Sequence, residues 1–210
     1  MRILYWSVPA SLAALLAAFV LTAAPAQALS AQDRDDLARV SAYLNGIASL
    51  TGEFAQFAPD GTLDQGRFWL RKPGRMRFEY QPPNPNLIVS DGYTVAVINA
   101  ELKTQDRYPL VDTPLSVLLR DNIDLARDVT IKSVERQEGS LRVTAVETDG
   151  PAKGEISLLF ADPGLQLRQW TIVDAQGLAT TVSVRALRQD VEIDPKLFFI
   201  EDTDRFTRSD

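Results

Sequence analysis

The residue types that most often carry out catalysis are missing from this sequence. Its 210 residues include no histidine and no cysteine, so the commonest general base and every thiolate are absent. The remaining candidates are carboxylates in two motifs, Asp91-Gly92 and Asp174 three residues before Gly177, with Ser90 beside the first. Aspartate close before glycine typically forms a turn by accepting hydrogen bonds from its own backbone. We therefore predict turns at both motifs, and no catalytic residue, cofactor or metal site.

The clearest chemical signal is an apolar surface. Within residues 75–80, Met76, Phe78 and Tyr80 alternate with three charged residues. Successive side chains of a strand point to opposite faces, so this alternation places the three large apolar groups together. The segment is predicted to be a strand with one broad apolar face.

Short strands separated by turn sequences follow one another along the chain after residue 49. Residues 59–61 (PDG) and 162–164 (DPG) are typical turns, and the prolines of residues 81–85 (QPPNP) interrupt strand pairing. A meander of strands of similar length predicts one large curved antiparallel sheet or open barrel. The predicted strands are residues 50–58, 66–72, 75–80, 87–90, 93–99, 102–108, 129–137, 141–148, 155–161, 165–173 and 178–187.

Two helices are predicted to pack against this sheet. Ser30 is a good N-cap for an amphipathic helix that ends within residues 46–49 and repeats apolar residues at helical spacing. Thr113-Pro114 begins a short second helix, with a cap followed by proline at the first helical position. Its leucines must lie against an apolar surface, most simply across the sheet; they are Leu115, Leu118 and Leu119.

The N-terminus has the layout of a secretory signal peptide. Arg2 precedes a run of alanine, leucine, valine and phenylalanine, and residues 26–28 (AQA) form a small-x-small cleavage site. We predict cleavage after Ala28 and a single domain of residues 29–210. The formal net charge is −6, which gives no long-range attraction for nucleic acid.

The ordered set of strand and turn motifs resembles one family. Residues 66–74 (GRFWLRKPG) precede residues 76–80 (MRFEY) and a nearby proline, and residues 88–92 (IVSDG) lead on to the Thr113 helix. With residues 174–177 (DAQG) and 193–195 (IDP), this order is similar to that of the outer-membrane lipoprotein carrier (LolA) family of periplasmic lipoprotein chaperones. The resemblance implies a mainly β fold of the α+β kind: an unclosed antiparallel half-barrel of about 10–11 strands, with an N-terminal helix and short helices as a lid.

The resemblance also implies a function and its partners. A non-enzymatic periplasmic monomer would enclose the acyl chains of lipoproteins and carry them from the inner to the outer membrane. An inner-membrane ABC transporter would supply the cargo, and participation of an outer-membrane receptor stays open. The candidate cargo-binding residues are Phe54, Phe68, Leu70, Met76, Phe78, Tyr80, Leu115, Leu118 and Leu119.

The family commonly has an arginine directly before the proline that follows the second strand, and that arginine is tied to lid opening. This chain has Lys72 there, with Arg71 one position earlier on the opposite face. We predict that one of these two cations is the lid latch. Trp69 has the opposite parity from Phe68 and is predicted to pack under the N-terminal helix.

Two other functions remain as alternatives. A half-barrel of this kind could recognise lipid-bearing molecules for signalling instead of transport. A periplasmic hydrolase based on carboxylates is the second alternative, and the absence of histidine disfavours it.

Overall fold

The computed structural model describes residues 29–147 and 153–201. The predicted signal peptide of residues 1–28 and the predicted turn at residues 149–151 lie outside these ranges, as do residues 202–210. The described residues form one antiparallel sheet with 11 strands, in agreement with the predicted fold class. The strands are β1 (Ser49–Phe57), β2 (Leu63–Arg71), β3 (Arg75–Tyr80), β4 (Asn86–Asp91), β5 (Thr94–Asn99), β6 (Thr104–Pro109), β7 (Thr130–Gln137), β8 (Ser140–Glu147), β9 (Gly154–Ala161), β10 (Gln166–Val173) and β11 (Ala179–Gln189).

The sheet consists of two meanders, a first one of β1 to β6 and a second one of β7 to β11. The strand order is β6-β5-β4-β3-β2-β1-β11-β10-β9-β8-β7, so every neighbouring pair is consecutive in the chain except β1 with β11. In the described part of the chain β6 and β7 are the two edges and do not pair with each other, which leaves the barrel open. The segment that connects these two edges contains the short helices.

The N-terminal helix, α1 (Ala31–Asn45), begins as predicted with a capping box at Ser30. The Ser30 hydroxyl accepts a hydrogen bond from the Asp33 amide (3.0 Å), and the Ser30 amide donates to the Asp33 carboxylate (2.9 Å). Leu37, Val40 and Leu44 are buried in a common core with the inner face of the sheet. The helix therefore covers one part of the concave surface.

The segment between β6 and β7 holds a 3-10 helix (Leu110–Asp112), α2 (Ser116–Leu119) and α3 (Leu125–Asp128). The predicted cap at Thr113 is wrong, because its hydroxyl donates to the Leu110 carbonyl (2.8 Å) and α2 has no side-chain cap. Helix α2 is a single turn whose leucines join the inner core.

The C-terminal segment crosses the other, outer face of the sheet. A 3-10 helix (Pro195–Phe198) contacts β3 and β4 there. Phe198 and Ile193 are buried, and so are Val89 and Ala96 of β4 and β5, yet none of the four belongs to the inner core. The sheet thus has a large apolar cluster inside and a small one outside.

Within the described residues, no helix combines the length and the apolar composition that crossing a membrane requires.

Candidate functional site

The inner face of β1, β2 and β3 brings together six of the predicted cargo-binding residues. Cross-strand register pairs Phe68 with Phe78 and Leu70 with Met76. The ring centres of Phe68 and Phe78 lie 5.5 Å apart, and those of Phe54 and Phe78 lie 5.1 Å apart. Phe54, Phe68, Met76 and Phe78 are each at most 5% exposed, whereas Leu70 and Tyr80 are partly buried.

A glycine makes room for this aromatic cluster. Gly66 pairs directly with Phe54 across β1 and β2. A side chain at Gly66 would place its Cβ 2.6 Å from the Phe54 ring and 2.0 Å from the Glu79 carbonyl oxygen. The bare backbone therefore lets the Phe54 ring lie across β2, where it reaches Phe78 and Tyr80.

Tyr80 lies at the edge of the aromatic cluster, where its hydroxyl is the polar group. Its hydroxyl donates to the Gln56 side-chain carbonyl at 2.9 Å, and burial raises the pKa of the phenol to about 12. The phenol is therefore neutral at physiological pH, and its hydroxyl has a partner. Gln56, which was not predicted as a site residue, is a polar residue on a mainly apolar face.

Helix α2 lies over this inner face, so the three predicted leucines do meet the sheet residues. A cavity of about 30 Å³ remains between them. A water molecule occupies about 30 Å³ in the liquid, so the cavity is far too small for an acyl chain. In this closed arrangement an acyl chain therefore cannot enter beneath α2 unless the helix moves. The cavity is lined by Leu44, Ile47, Ala48, Leu50, Leu70, Lys72, Phe78, Leu115, Leu118, Leu119, Leu167 and Trp170.

Strand β10 contributes two residues to the site that were not predicted. Leu167 and Trp170 both line the cavity, although they are three positions apart in a strand, which would place them on opposite faces. A register shift against β9 falls between Leu167 and Gln169, so Arg168 is an extra residue and strict alternation fails. Trp170 thereby reaches the Phe78 ring, with 6.1 Å between their centres.

Both lid helices are attached to the same turn, between β2 and β3. The Lys72 ammonium donates to the Leu44 carbonyl of α1 (2.8 Å), and the Gly74 amide donates to the Leu119 carbonyl of α2 (2.9 Å). Burial among apolar groups lowers the pKa of Lys72, an effect that Asp121 partly opposes. Gly74 has a φ of +72°, and a Cβ there would lie 2.6 Å from the Gly92 carbonyl oxygen, so the turn requires glycine.

Arg71 lies apart from the lid. Its guanidinium sits 5.7 Å from the centre of the Phe198 ring, on the outer face. Trp69 also lies on the outer face, beside Glu53 and Arg67, and it is not among the residues that pack against the inner core. The prediction that Trp69 packs under α1 is therefore wrong.

The two candidate carboxylate motifs are turns, as predicted. The Asp91 carboxylate accepts hydrogen bonds from the amides of Tyr93 and Thr94, at 2.9 Å each. The Asp174 carboxylate accepts from the amides of Gln176 and Leu178, also at 2.9 Å. Both carboxylates therefore hold their own turns.

The family profile described as outer membrane lipoprotein carrier protein LolA matches residues 45–201. The chain belongs to the LolA family. The matched region runs from the end of α1 through the whole sheet and includes α2 and the C-terminal 3-10 helix.

Individual LolA relatives match over most of their length. An outer-membrane lipoprotein carrier protein of Alkalilimnicola ehrlichii is 30% identical over 189 residues, which cover 85% of this chain and 84% of the relative. One of Chromobacterium violaceum is 28% identical, with 84% and 85% covered. The solved structure of a DUF1329 family protein from Desulfovibrio piger aligns with a TM-score of 0.50 at 12% identity, over 80% of this chain and 96% of that one. At that identity the likeness concerns the fold alone.

Proposed function

We propose that this protein is a periplasmic carrier that encloses the acyl chains of lipoproteins between the inner face of the sheet and a movable α2. The observation that carries the proposal is the contrast between a mainly apolar inner face and the slight cover that α2, a four-residue helix, gives to its part of that face. Membership of a family whose relatives are named as lipoprotein carriers supports the choice of cargo.

The energetics of acyl chains explain why such a carrier is needed. Each buried methylene is worth about 0.8 kcal/mol, so a chain of about sixteen carbons carries on the order of 13 kcal/mol against release into water. A useful carrier must offer a comparable apolar surface without holding the chain so tightly that delivery stalls.

The closed lid satisfies this requirement by competition. Because the closed cavity measures only about 30 Å³, Leu115, Leu118 and Leu119 occupy the place that cargo would take. An entering chain then displaces protein contacts instead of water, and its net gain is smaller than the full transfer energy. Cargo leaves when the leucines return.

The turn of Lys72 and Gly74 is the proposed lid latch. It contacts the end of α1 through the Lys72 ammonium and the end of α2 through the Gly74 amide. A partly buried ammonium with one hydrogen bond is poorly solvated, so this attachment is weak enough to break during loading. Arg71, on the outer face, takes no part in it.

The proposal includes transfer from an inner-membrane ABC transporter and delivery to the outer membrane, with residues 1–28 as the export signal. These steps rest on the family and on the sequence of the N-terminus. The protein's own part is to bind, shield and release, without a chemical step.

Substitution of Leu118 by aspartate tests the site. A charge beneath the lid must enter apolar surroundings, so uptake of a fluorescent fatty-acid probe should fall at least tenfold. Val111→Asp is the matched control, because Val111 lies in the same connecting segment and is 71% exposed. Wild-type protein purified from periplasm should also contain triacylated lipoprotein by mass spectrometry. Equal uptake by both variants, or an empty wild-type protein, contradicts the proposal.

A further inference from the structure

The outer face of the sheet carries a groove with an apolar floor, much larger than the cavity beneath α2. A groove of about 460 Å³ lies between β4, β5 and the C-terminal 3-10 helix. Leu87 and Ile98 are cross-strand partners. Both point to the opposite face of the sheet from Ile88, which pairs with the inner residue Phe78. The groove is therefore separated from the inner core by the sheet itself.

The apolar part of the groove includes four large side chains. Leu87 and Ile98 come from the sheet, and Leu197 and Phe199 come from the C-terminal segment. Phe199 is 65% exposed, which is unusual for an aromatic side chain that lies beside other apolar groups. An apolar ligand in the groove would cover it.

The wall formed by the C-terminal segment is fixed in place. Arg77 donates to the Leu197 carbonyl at 3.1 Å, and Ser49 donates to the Val191 carbonyl at 2.7 Å. Phe198, 1% exposed, anchors the 3-10 helix in the outer apolar cluster. The groove is therefore a preformed feature, as small-molecule sites usually are.

Two ammonium groups stand at the rim of the groove. Among the described residues, neither Lys103 nor Lys196 forms an ion pair or a side-chain hydrogen bond, whereas the Arg77 guanidinium is paired with Glu79 at 2.6 Å. Glu201 also lines the groove and has an interaction of its own. The protein has a formal net charge of −6, yet two lysines without a partner among the described residues lie beside this apolar floor.

We propose that this outer groove binds an anionic single-chain amphiphile, such as a fatty acid or a lysophospholipid. The chain would lie on Leu87, Ile98 and Phe199, and the carboxylate or phosphate would contact Lys103 and Lys196. The volume lies within the range of about 300–1,000 Å³ that is typical of small-molecule sites. This site is independent of the acyl-chain site proposed beneath α2.

Laurate binding to wild-type protein, followed by NMR of backbone amides, tests the proposal. Laurate should shift the amides of Ile98, Lys103 and Leu197 in a saturable way, whether or not it also enters beneath α2. Ile98→Asp should weaken this binding at least tenfold, because it introduces a negative charge into the apolar floor. Shifts confined to α2 and the inner strands would overturn the proposal.

The charged rim is tested with a pair of ligands. The double variant Lys103→Ala and Lys196→Ala should lower laurate affinity several-fold and leave that of neutral monolaurin unchanged. Lys153→Ala, an exposed lysine before β9, is the matched control and should change neither. Equal loss of both ligands would contradict recognition of the anion. A change from dimer to monomer in Ile98→Asp, with laurate binding intact, would mean that a second copy of the chain fills the groove.

Discussion

Two helices cover the inner face of the sheet, and they are attached in different ways. Helix α1 has 15 residues, a capping box and side-chain contacts to the second meander. Helix α2 has four residues and no side-chain cap, and the described residues show one hydrogen bond between it and the sheet region, from Gly74 to Leu119. Length and anchoring therefore distinguish a firmly held cover from the weakly held cover that we propose to move.

Besides its buried leucines and valine, α1 is held by ion pairs, and these lie on the side of the second meander. Arg136 of β7 contacts both Asp33 and Asp36, and Arg39 of the helix contacts Asp36 and Asp162. The carboxylate of Asp36 is buried and shared by two guanidiniums, which makes it the centre of this network. Toward the first meander, α1 is held by the Lys72 hydrogen bond at its C-terminal end.

The connecting segment is not uniform either. The Asn45 side chain accepts from the Ile123 amide (2.7 Å) and donates to the Ile123 carbonyl (2.8 Å), and the Ser41 hydroxyl accepts from the Leu125 amide. The region just before and within α3 is therefore fastened to α1. Within the described residues, the part of this segment around α2 shows no such side-chain anchor, so we expect opening to be confined to it, with residues after α2 as the hinge.

The comparison predicts different costs for removing one leucine from each helix. Leu37→Ala in α1 should lower the free energy of unfolding by about 2–5 kcal/mol, because a fully buried leucine leaves a cavity that fixed neighbours cannot fill. Leu118→Ala should cost at most about 2 kcal/mol, because α2 can settle into the existing gap. Urea unfolding of both variants measures the difference. Equal losses would mean that α2 is as firmly held as α1.

A smaller effect is expected at the latch. Lys72→Leu removes the hydrogen bond, worth about 0.5–1.5 kcal/mol, that fixes the β2–β3 turn to α1. Because the same turn holds α2 through the Gly74 amide, closing of α2 should compete less well with cargo and release should slow roughly two- to tenfold. Stability should change by less than about 1 kcal/mol, because loss of a poorly solvated charge offsets loss of the bond. Dissociation of the fluorescent fatty-acid probe measures release.

Arg71→Leu is the matched control for the latch. It removes a neighbouring cation on the outer face, where the guanidinium contacts only the Phe198 ring among the interactions described for it. Release from this variant should match wild type. If Arg71→Leu slows release and Lys72→Leu does not, the latch has been assigned to the wrong residue.

Local patterns in the sequence predicted those parts of the fold that depend on neighbours in the chain. The Ser30 cap, the bounds of β3 and the turns at Asp91 and Asp174 follow from hydrogen bonds and alternation within a few residues. The inner position of Phe68 and Phe78 follows from the same alternation. On β1 to β3, the alternation of side chains between the two faces was therefore enough to predict which residues point to the inner face.

Features that depend on distant residues were not predictable in this way. Trp170 was missed because a bulge changes the parity of β10. Trp69 was misplaced because parity gives the face of a strand and not the element that covers it. The small size of the inner cavity depends on how the α2 leucines pack, and the outer groove depends on the return of the C-terminal segment to β4 and β5.

The smallest expected effect concerns the ion pairs of α1 and their pH dependence. The Arg136 hydrogen bond, followed by those from Ser30, lowers the pKa of Asp33 from 3.8 to about 2. A carboxyl whose pKa is lower in the folded state stabilises the fold above pH 3.8, and this contribution is lost as the pH falls toward 2. Arg136→Met should therefore be less stable than wild type at pH 5, with a smaller difference at pH 2, as measured by urea unfolding.

Arg168→Met, on the exposed side of β10, is the control and should show no such trend. A stability difference for Arg136→Met that is the same at both pH values would show that Arg136 acts by packing, and the electrostatic contrast between α1 and α2 would then rest on the Arg39–Asp162 pair.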